Sequence, residues 1–462
     1  MVPYHMKKTV SIEFGSEALR IDFPGAVDVL RLPERAPLED PARAIRDALA
    51  VPVGTPPLTT IVHNAVARQP DIRAVIVVSD NTRPVPYRGP ASLVDPLLEL
   101  LRKGKVREII LLVAAGTHRP LREPELRRLL PDSAFAADVR IVNHDCCDKA
   151  GLVRLGQTPR GTDVWINRDY MDAGIRILTG LVEPHFMAGM SGGPKSICPG
   201  IVGEAVTHVF HGARMMADAR ACSMQLDGNP CHEESLAVAR MAGADFILNV
   251  TLNGNKAVTG VYAGDLVKAH RAACAQVVQD AGIPISREYD VLVTHAGFAG
   301  INHYQAAKAA VEASRALRAG GALVLAANHT DDDPVGGRGY RSVLPRLREW
   351  GADELDRRLL APDWQFVPEQ WEVQMWARVF RKLGPAGRLV YCAPRLTGGR
   401  FLDGGLPGQD GGAGLDMKGS DRDQAERMVQ QAVDQHAGRG RVAVLAEGPY
   451  GVPILTTGSA NR

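Results

Sequence analysis

Short apolar runs alternate along this chain with longer stretches of helical periodicity, and that alternation limits the possible folds more than any other feature. "AVIVVSD" (74–80), "EIILLVAAG" (108–116), "VRIVNHD" (139–145), "IRILTG" (175–180) and "DFILNV" (245–250) read as strands. A second set follows at "YDVLVTHAG" (289–297), "ALVLAAN" (322–328), "RLVYCAP" (388–394) and "RVAVLAEG" (441–448). Strands separated by helices imply an α/β architecture, with two domains that each hold a largely parallel sheet flanked by helices. Between the sets, 264–284 reads as an amphipathic helix closed by glycine and proline, which puts a domain boundary near 285. The expected organisation is an N-terminal domain over 1–285, a C-terminal domain over 286–448, and a tail over 449–462 that returns to the N-terminal domain. The glycine-rich segment 397–414 reads as a mobile loop.

Composition narrows the class. The chain has 462 residues, 45% hydrophobic and 23% charged, which are the proportions of a globular protein with room for two to four domains. Its net charge of +2 gives no global attraction to nucleic acid or to an anionic membrane. No apolar run reaches membrane-spanning length, and "MVPYHMKKTVSIEFG" lacks the apolar core of a signal peptide, so a cytoplasmic location is expected. Seven cysteines without a C-x-x-C pair suggest reduced thiols rather than a disulfide framework or a zinc ribbon.

"GMSGGPKS" (189–196) approaches the phosphate-cradling pattern G-x-x-x-x-G-K-[ST], but Pro194 replaces the last glycine. A P-loop wraps phosphates with backbone N–H groups, and proline has none. What remains is a glycine-rich turn that displays Lys195.

The strand ends supply its company. They carry "SDNTRP" (79–84), "GTHRP" (116–120), "NHDCCD" (143–148) and "GLVEPH" (180–185). Ligands of open α/β sheets bind beyond the carboxyl ends of the strands, so Asp80, Arg83, His118, Arg119, His144, Asp145 and His185 are expected to converge. Taken singly, each has an ordinary turn or hydrogen-bonding explanation. Further on, His208 and His211 lie one helical turn apart in "EAVTHVFHGARMM" (204–216), and His185 with these two gives a possible metal set. His208 is expected to pack locally. In "NHYQAAKAAVEA" (302–313), Gln305 and Lys308 share a helix face, and Lys308 with Arg83 suits a carboxylate held from two domains, in a cleft that closure can seal.

These residues, in this order and across essentially the whole chain, resemble the nickel-pincer lactate racemase family, with "GGPKSICPGI" the most specific block. The resemblance implies a racemase or epimerase of 2-hydroxy acids that works through a 2-keto acid, by hydride transfer to and from a nickel-pincer nucleotide (a pyridinium-3,5-bisthiocarboxylic acid mononucleotide carrying nickel). Lys195 matches the lysine that carries this group covalently, and His211 matches the nickel ligand. His118 and His185 match the acid/base pair. Ser79, Asp80, Gly192, Gly193, Pro194 and Ser196 match the cofactor-binding region, and Arg83, Tyr304, Gln305 and Lys308 the substrate-binding residues. Trp371, in "EQWEVQMWARVF", matches an aromatic wall of the pocket. The family further implies cofactor-building proteins as maturation partners. Two other readings compete: a zinc hydrolase using His185, His208 and His211, and a cofactor carrier without turnover.

Overall fold

The computed structural model describes residues 8–456. By internal packing the chain divides into two compact units, Glu34–Asp280 and a second made of the residues up to Pro33 together with those from Ala281 onward.

The Glu34–Asp280 unit is built on six strands, lying side by side as Val258–Gly264, Phe246–Leu252, Ile175–Leu181, Arg73–Ser79, Glu108–Ala114 and Val139–Asn143. All neighbours are parallel except Val258–Gly264, which turns back antiparallel on Phe246–Leu252. The inner strands read as continuous apolar runs because both faces of the sheet are covered: Ala74, Val75, Ile76, Val77 and Val78 are all fully buried. Ile45 and Leu49, Leu58 and Val62, and Leu97, Leu98 and Leu101 bring the apolar stripes of three helices, Pro41–Ala50, Leu58–Arg68 and Val94–Lys103, onto one face. In chain order the sheet is wound 3-2-1-4-5-6, so its direction of growth reverses between Arg73–Ser79 and Ile175–Leu181. The crevice outside the carboxyl ends of those two strands is where such a sheet receives a ligand.

The second unit holds another six-stranded sheet, ordered Gln409–Asp410, Arg388–Cys392, Leu317–Ala326, Tyr289–His295, Val442–Leu445 and Val27–Leu30, all parallel. Its composition departs from the expected boundaries at both ends of the chain. Val27–Leu30 is hydrogen-bonded to Val442–Leu445, so the N-terminal residues complete the C-terminal sheet instead of belonging to a 1–285 domain. Just before it, Lys8–Phe14 and Glu17–Phe23 form a hairpin. Val10, Ile12, Phe14, Leu19, Ile21 and Phe23 alternate onto one face, where they pack with Met428, Val429 and Val433 of the helix Asp421–His436. Val452–Leu455 pairs with Gly282–Ile285 within this same unit, so the described part of the 449–462 tail does not return to the Glu34–Asp280 unit; 457–462 lie outside the described residues.

The segment 397–414 is also more ordered than a loop, with a short helix at Gly399–Asp403 and an edge strand at Gln409–Asp410. None of the cysteines is bridged. No helix among the described residues is long and apolar enough to cross a membrane.

Candidate active site

At the end of the Arg73–Ser79 strand the Ser79 N–H donates to the Tyr87 hydroxyl at 2.6 Å, and Thr179 Oγ1 on the neighbouring strand donates to the same oxygen at 3.2 Å. The next residue, Asp80, is buried. Its Oδ1 accepts from the Thr82 N–H (3.1 Å) and hydroxyl (2.5 Å), and its Oδ2 lies 2.7 Å from His118 Nδ1. Burial acts to raise this carboxyl, but the hydrogen bond and charge of His118, with the Thr82 bonds, hold it below the usual aspartate range. His118 follows the Glu108–Ala114 strand through a turn in which Gly116 takes φ +57° and donates to Gly200 O at 3.0 Å. The His118 side chain is more than half exposed.

On the other side of the switch point, Ile175–Leu181 leads into a two-residue ladder between Pro184–His185 and Gly189–Met190. His185 Nδ1 accepts backbone N–H groups from Met187 (3.3 Å) and Ala188 (3.2 Å). Ser191 Oγ ties the ladder to the sheet, accepting from Glu183 N at 3.0 Å and donating to Leu181 O at 2.8 Å. Gly192 and Gly193 then adopt φ of +71° and +50°, a region open chiefly to glycine. Space forbids a side chain there as well: a Cβ on Gly193 would lie 2.5 Å from the His270 ring. The turn is held from below, with Gly193 N–H donating to Asn249 Oδ1 at 3.0 Å and His270 Nε2 lying 2.9 Å from Ser191 O. Pro194 is the second residue of the 3-10 turn Gly193–Ser196, where a backbone N–H has no helical partner to lose.

That turn delivers Lys195. Its Nζ stands 5.7 Å from the ring centre of Phe210, and the His211 ring meets the same phenyl edge-on at 4.8 Å. His211 caps the helix Glu204–Phe210. Burial, and then the charge of Lys195, push its pKa down to about 3, so the imidazole is neutral at any ordinary pH. A neutral imidazole is the form that ligates metals. Nearby, the space over Gly180 is lined by Asn249 Nδ2, Ser196 Oγ and the Gly192 backbone, each 3.7 Å from where a Cβ would be. Asn249 is fully buried, and its Nδ2 has no hydrogen-bond partner within the protein. A buried amide donor left open beside a glycine is a place prepared for an acceptor.

Several expected members of the cluster are engaged elsewhere. Arg119 forms a two-pronged ion pair with Glu125 (2.6 and 2.8 Å). His144 is buried, with Nε2 at 2.9 Å from Val202 O and Nδ1 at 3.3 Å from Asn167 Nδ2, which makes it a structural residue. Asp145 is exposed. Arg83 is paired with Glu183 through Nη1 and Oε1. His208 lies 3.8 Å from Glu204 on its own helix. Among the described residues the one cluster of three metal-donor side chains is Asp145, Cys146 and Cys147, so His185, His208 and His211 do not assemble the three-histidine zinc site of the hydrolase reading.

In the second unit, Asn302 caps the helix His303–Ser314 by accepting from Gln305 N at 2.9 Å. Lys308 Nζ donates to Gln305 Oε1 at 2.7 Å, as residues one turn apart can. Trp371 Nε1 donates to Tyr304 Oη at 2.9 Å. Beside them Glu372 is buried; burial pushes its pKa up to about 8, with Lys308 drawing it down and Glu369 raising it.

Sequence reasoning overlooked Glu183, Asn249, His270 and Glu372. Asn249 left a trace, as the one polar side chain within "FILNV". Glu183 stood in the quoted "GLVEPH" without being read.

A family model described as the lactate racemase N-terminal domain matches residues 14–223. A lactate racemase of Lactiplantibacillus plantarum is 32% identical over 309 residues, covering 66% of this chain and 71% of that protein. A lactate racemase of Thermoanaerobacterium thermosaccharolyticum is 29% identical over 339 residues, covering 72% of this chain and 76% of that protein. Among solved structures, the lactate racemase apoprotein of T. thermosaccharolyticum aligns with a TM-score of 0.79 at 24% identity, over 97% of this chain and 100% of the other. A protein from Thermotoga maritima aligns at 0.59 and 16%, over 87% and 99%. These two structures speak for the fold.

Proposed function

The chain belongs to the lactate racemase family and is an isomerase of the racemase class; on that premise we propose that it inverts the α-carbon of a 2-hydroxy acid with the help of a nickel-pincer nucleotide tethered to Lys195. The observation that carries this reading is the glycine-built display of Lys195 against the same phenyl ring as the neutral His211.

The residues fit such a group. Lys195 would hold it covalently, and His211 would give nickel one neutral nitrogen donor. Ser79, Asp80, Gly192, Gly193, Pro194 and Ser196 would surround it, and the open amide of Asn249 would gain an acceptor from it. When bound, the group supplies a carbon centre that accepts and returns hydride, chemistry that no side chain provides.

The protein's own residues bind the substrate and move its proton. Arg83 binds the carboxylate as a planar fork, while Gln305 and Lys308, in the second unit, keep the substrate-binding role that the family resemblance implies, Lys as a point charge. Trp371, hydrogen-bonded to Tyr304, would supply the aromatic wall that the resemblance implies. His118 takes the hydroxyl proton at Nε2 as the 2-keto acid forms, and Asp80 stabilises the resulting imidazolium through Nδ1. His185 serves the opposite enantiomer. A hydride route avoids the α-carbanion, which a carboxylate and a hydroxyl stabilise poorly. A cytoplasmic setting and maturation by cofactor-building proteins belong to the same reading.

Intact-protein mass with metal analysis, on protein produced alongside cofactor-building enzymes, tests it. The expected result is an adduct on the chain and bound nickel. The bare chain mass, or zinc in place of nickel, would contradict it.

A further inference from the structure

His118 and His185 are wired in opposite senses. A neutral imidazole carries one N–H and one lone pair, and whatever faces one ring nitrogen fixes the role of the other. His118 Nδ1 lies 2.7 Å from Asp80 Oδ2. An ionised carboxylate can only accept, so Nδ1 carries the proton and Nε2 the lone pair. His185 Nδ1 faces the backbone N–H groups of Met187 and Ala188, at 3.3 and 3.2 Å. Backbone amides can only donate, so here Nδ1 carries the lone pair and Nε2 the proton.

We infer that the free enzyme holds its two histidines as unlike tautomers, His118 a base at Nε2 and His185 a hydrogen-bond donor at Nε2, with Asp80 and the 187–188 backbone as the positioning groups. The functional consequence rests on the racemase reading above. A hydroxyl presented to His118 passes its proton to Nε2 directly, leaving an imidazolium with an N–H on each nitrogen and Asp80 against one of them. A hydroxyl presented to His185 meets an N–H and is oriented, not deprotonated. For His185 to act as a base its proton has to move to Nδ1, and both amide contacts are then lost. The two enantiomers therefore start from unequal positions. Because enantiomers have equal free energies, kcat/KM is the same in both directions at equilibrium, so the inequality falls on kcat and KM separately and on the first turnover. It also gives Asp80 a duty distinct from cofactor binding: it sets which nitrogen of His118 bears the proton.

The test needs neither substrate nor metal. The full chain is labelled with 15N-histidine, and long-range proton–nitrogen correlations are recorded at a pH where both rings are neutral. The spectra of His118→Gln and His185→Gln identify the two rings. The expected pattern is a proton on Nδ1 of His118 and on Nε2 of His185, with Asp80→Ala moving the His118 proton to Nε2 and leaving His185 unchanged. The same tautomer on both rings, the reverse pattern, or a His118 tautomer indifferent to Asp80→Ala would overturn the inference. The wild-type spectrum alone suffices if the Asp80 variant does not fold. Since the spectrum is taken on the chain without its cofactor, it succeeds or fails independently of whether the chain racemises any hydroxy acid.

Discussion

Arg83 is ion-paired with Glu183, a residue that lies two positions before His185. In the proposed reaction Arg83 receives the substrate carboxylate, so a carboxylate of the protein already stands where the substrate's must come. Both side chains are about one-third exposed, and pairs of that kind contribute roughly 0.2–1 kcal/mol. Glu183→Gln should therefore lower KM by up to about fivefold with kcat little changed. Steady-state kinetics on the loaded enzyme decides. A raised KM would mean that Glu183 holds Arg83 in place and does not compete with substrate.

Lys195→Ala should leave a folded chain that retains no covalent nucleotide. Lys195 sits in a turn fixed by Gly192, Gly193 and the Asn249 bond, none of which uses its side chain. Intact mass of the variant, made beside the cofactor-building enzymes, should equal that of the bare chain. An adduct of wild-type mass would move the attachment elsewhere.

His211→Ala should lose nickel by about tenfold or more while the organic adduct stays on Lys195. The histidine supplies one donor, and the cofactor's own atoms supply the rest. Metal content per adduct is the measurement, and a wild-type ratio would clear His211 of the ligand role.

Acid should weaken the Glu34–Asp280 unit through its buried histidines. Burial, as the largest cause in each, lowers His211 to about 3 and His232 and His270 to about 4, from 6.5. Between those values the unfolded chain binds protons that the folded chain refuses, so stability falls as pH drops below 6.5, by at most about 1.4 kcal/mol per pH unit for each group. His270→Gln should lower the urea midpoint at pH 7 and flatten its decline towards pH 5. An unaltered slope in the variant would remove His270 from this effect.

The strands were legible because a sheet covered on both faces needs unbroken apolar runs, as in "AVIVV" and "IILLV". The domain membership of the N-terminal residues was not. Val27–Leu30 joins Val442–Leu445 across more than four hundred residues, and nothing local to either segment encodes that pairing. The site shows the same division. Strand ends pointed to Asp80, His118 and His185, because ligands of such a sheet bind beyond the carboxyl ends of its strands, and the glycine-rich turn pointed to Lys195. Arg119 and His144 looked equivalent to them, yet the groups that engage them, Glu125 and the Val202 carbonyl, become visible only once the chain is folded. Asn249 and His270 act from beneath the turn; the lone asparagine within "FILNV" was a trace of the first, and nothing in its helix marked the second.

The chiral outcome of turnover tests the central claim most directly. Enzyme made with its cofactor-building partners is incubated with one pure enantiomer from a panel of 2-hydroxy acids beginning with lactate, and both enantiomers are quantified over time. Wild type should carry either enantiomer of its substrate to an equal mixture, and His118→Ala and His185→Ala should each slow both directions by about 10²–10⁴-fold. No interconversion of any 2-hydroxy acid by nickel-loaded wild type, or undiminished racemisation by both histidine variants, would contradict it.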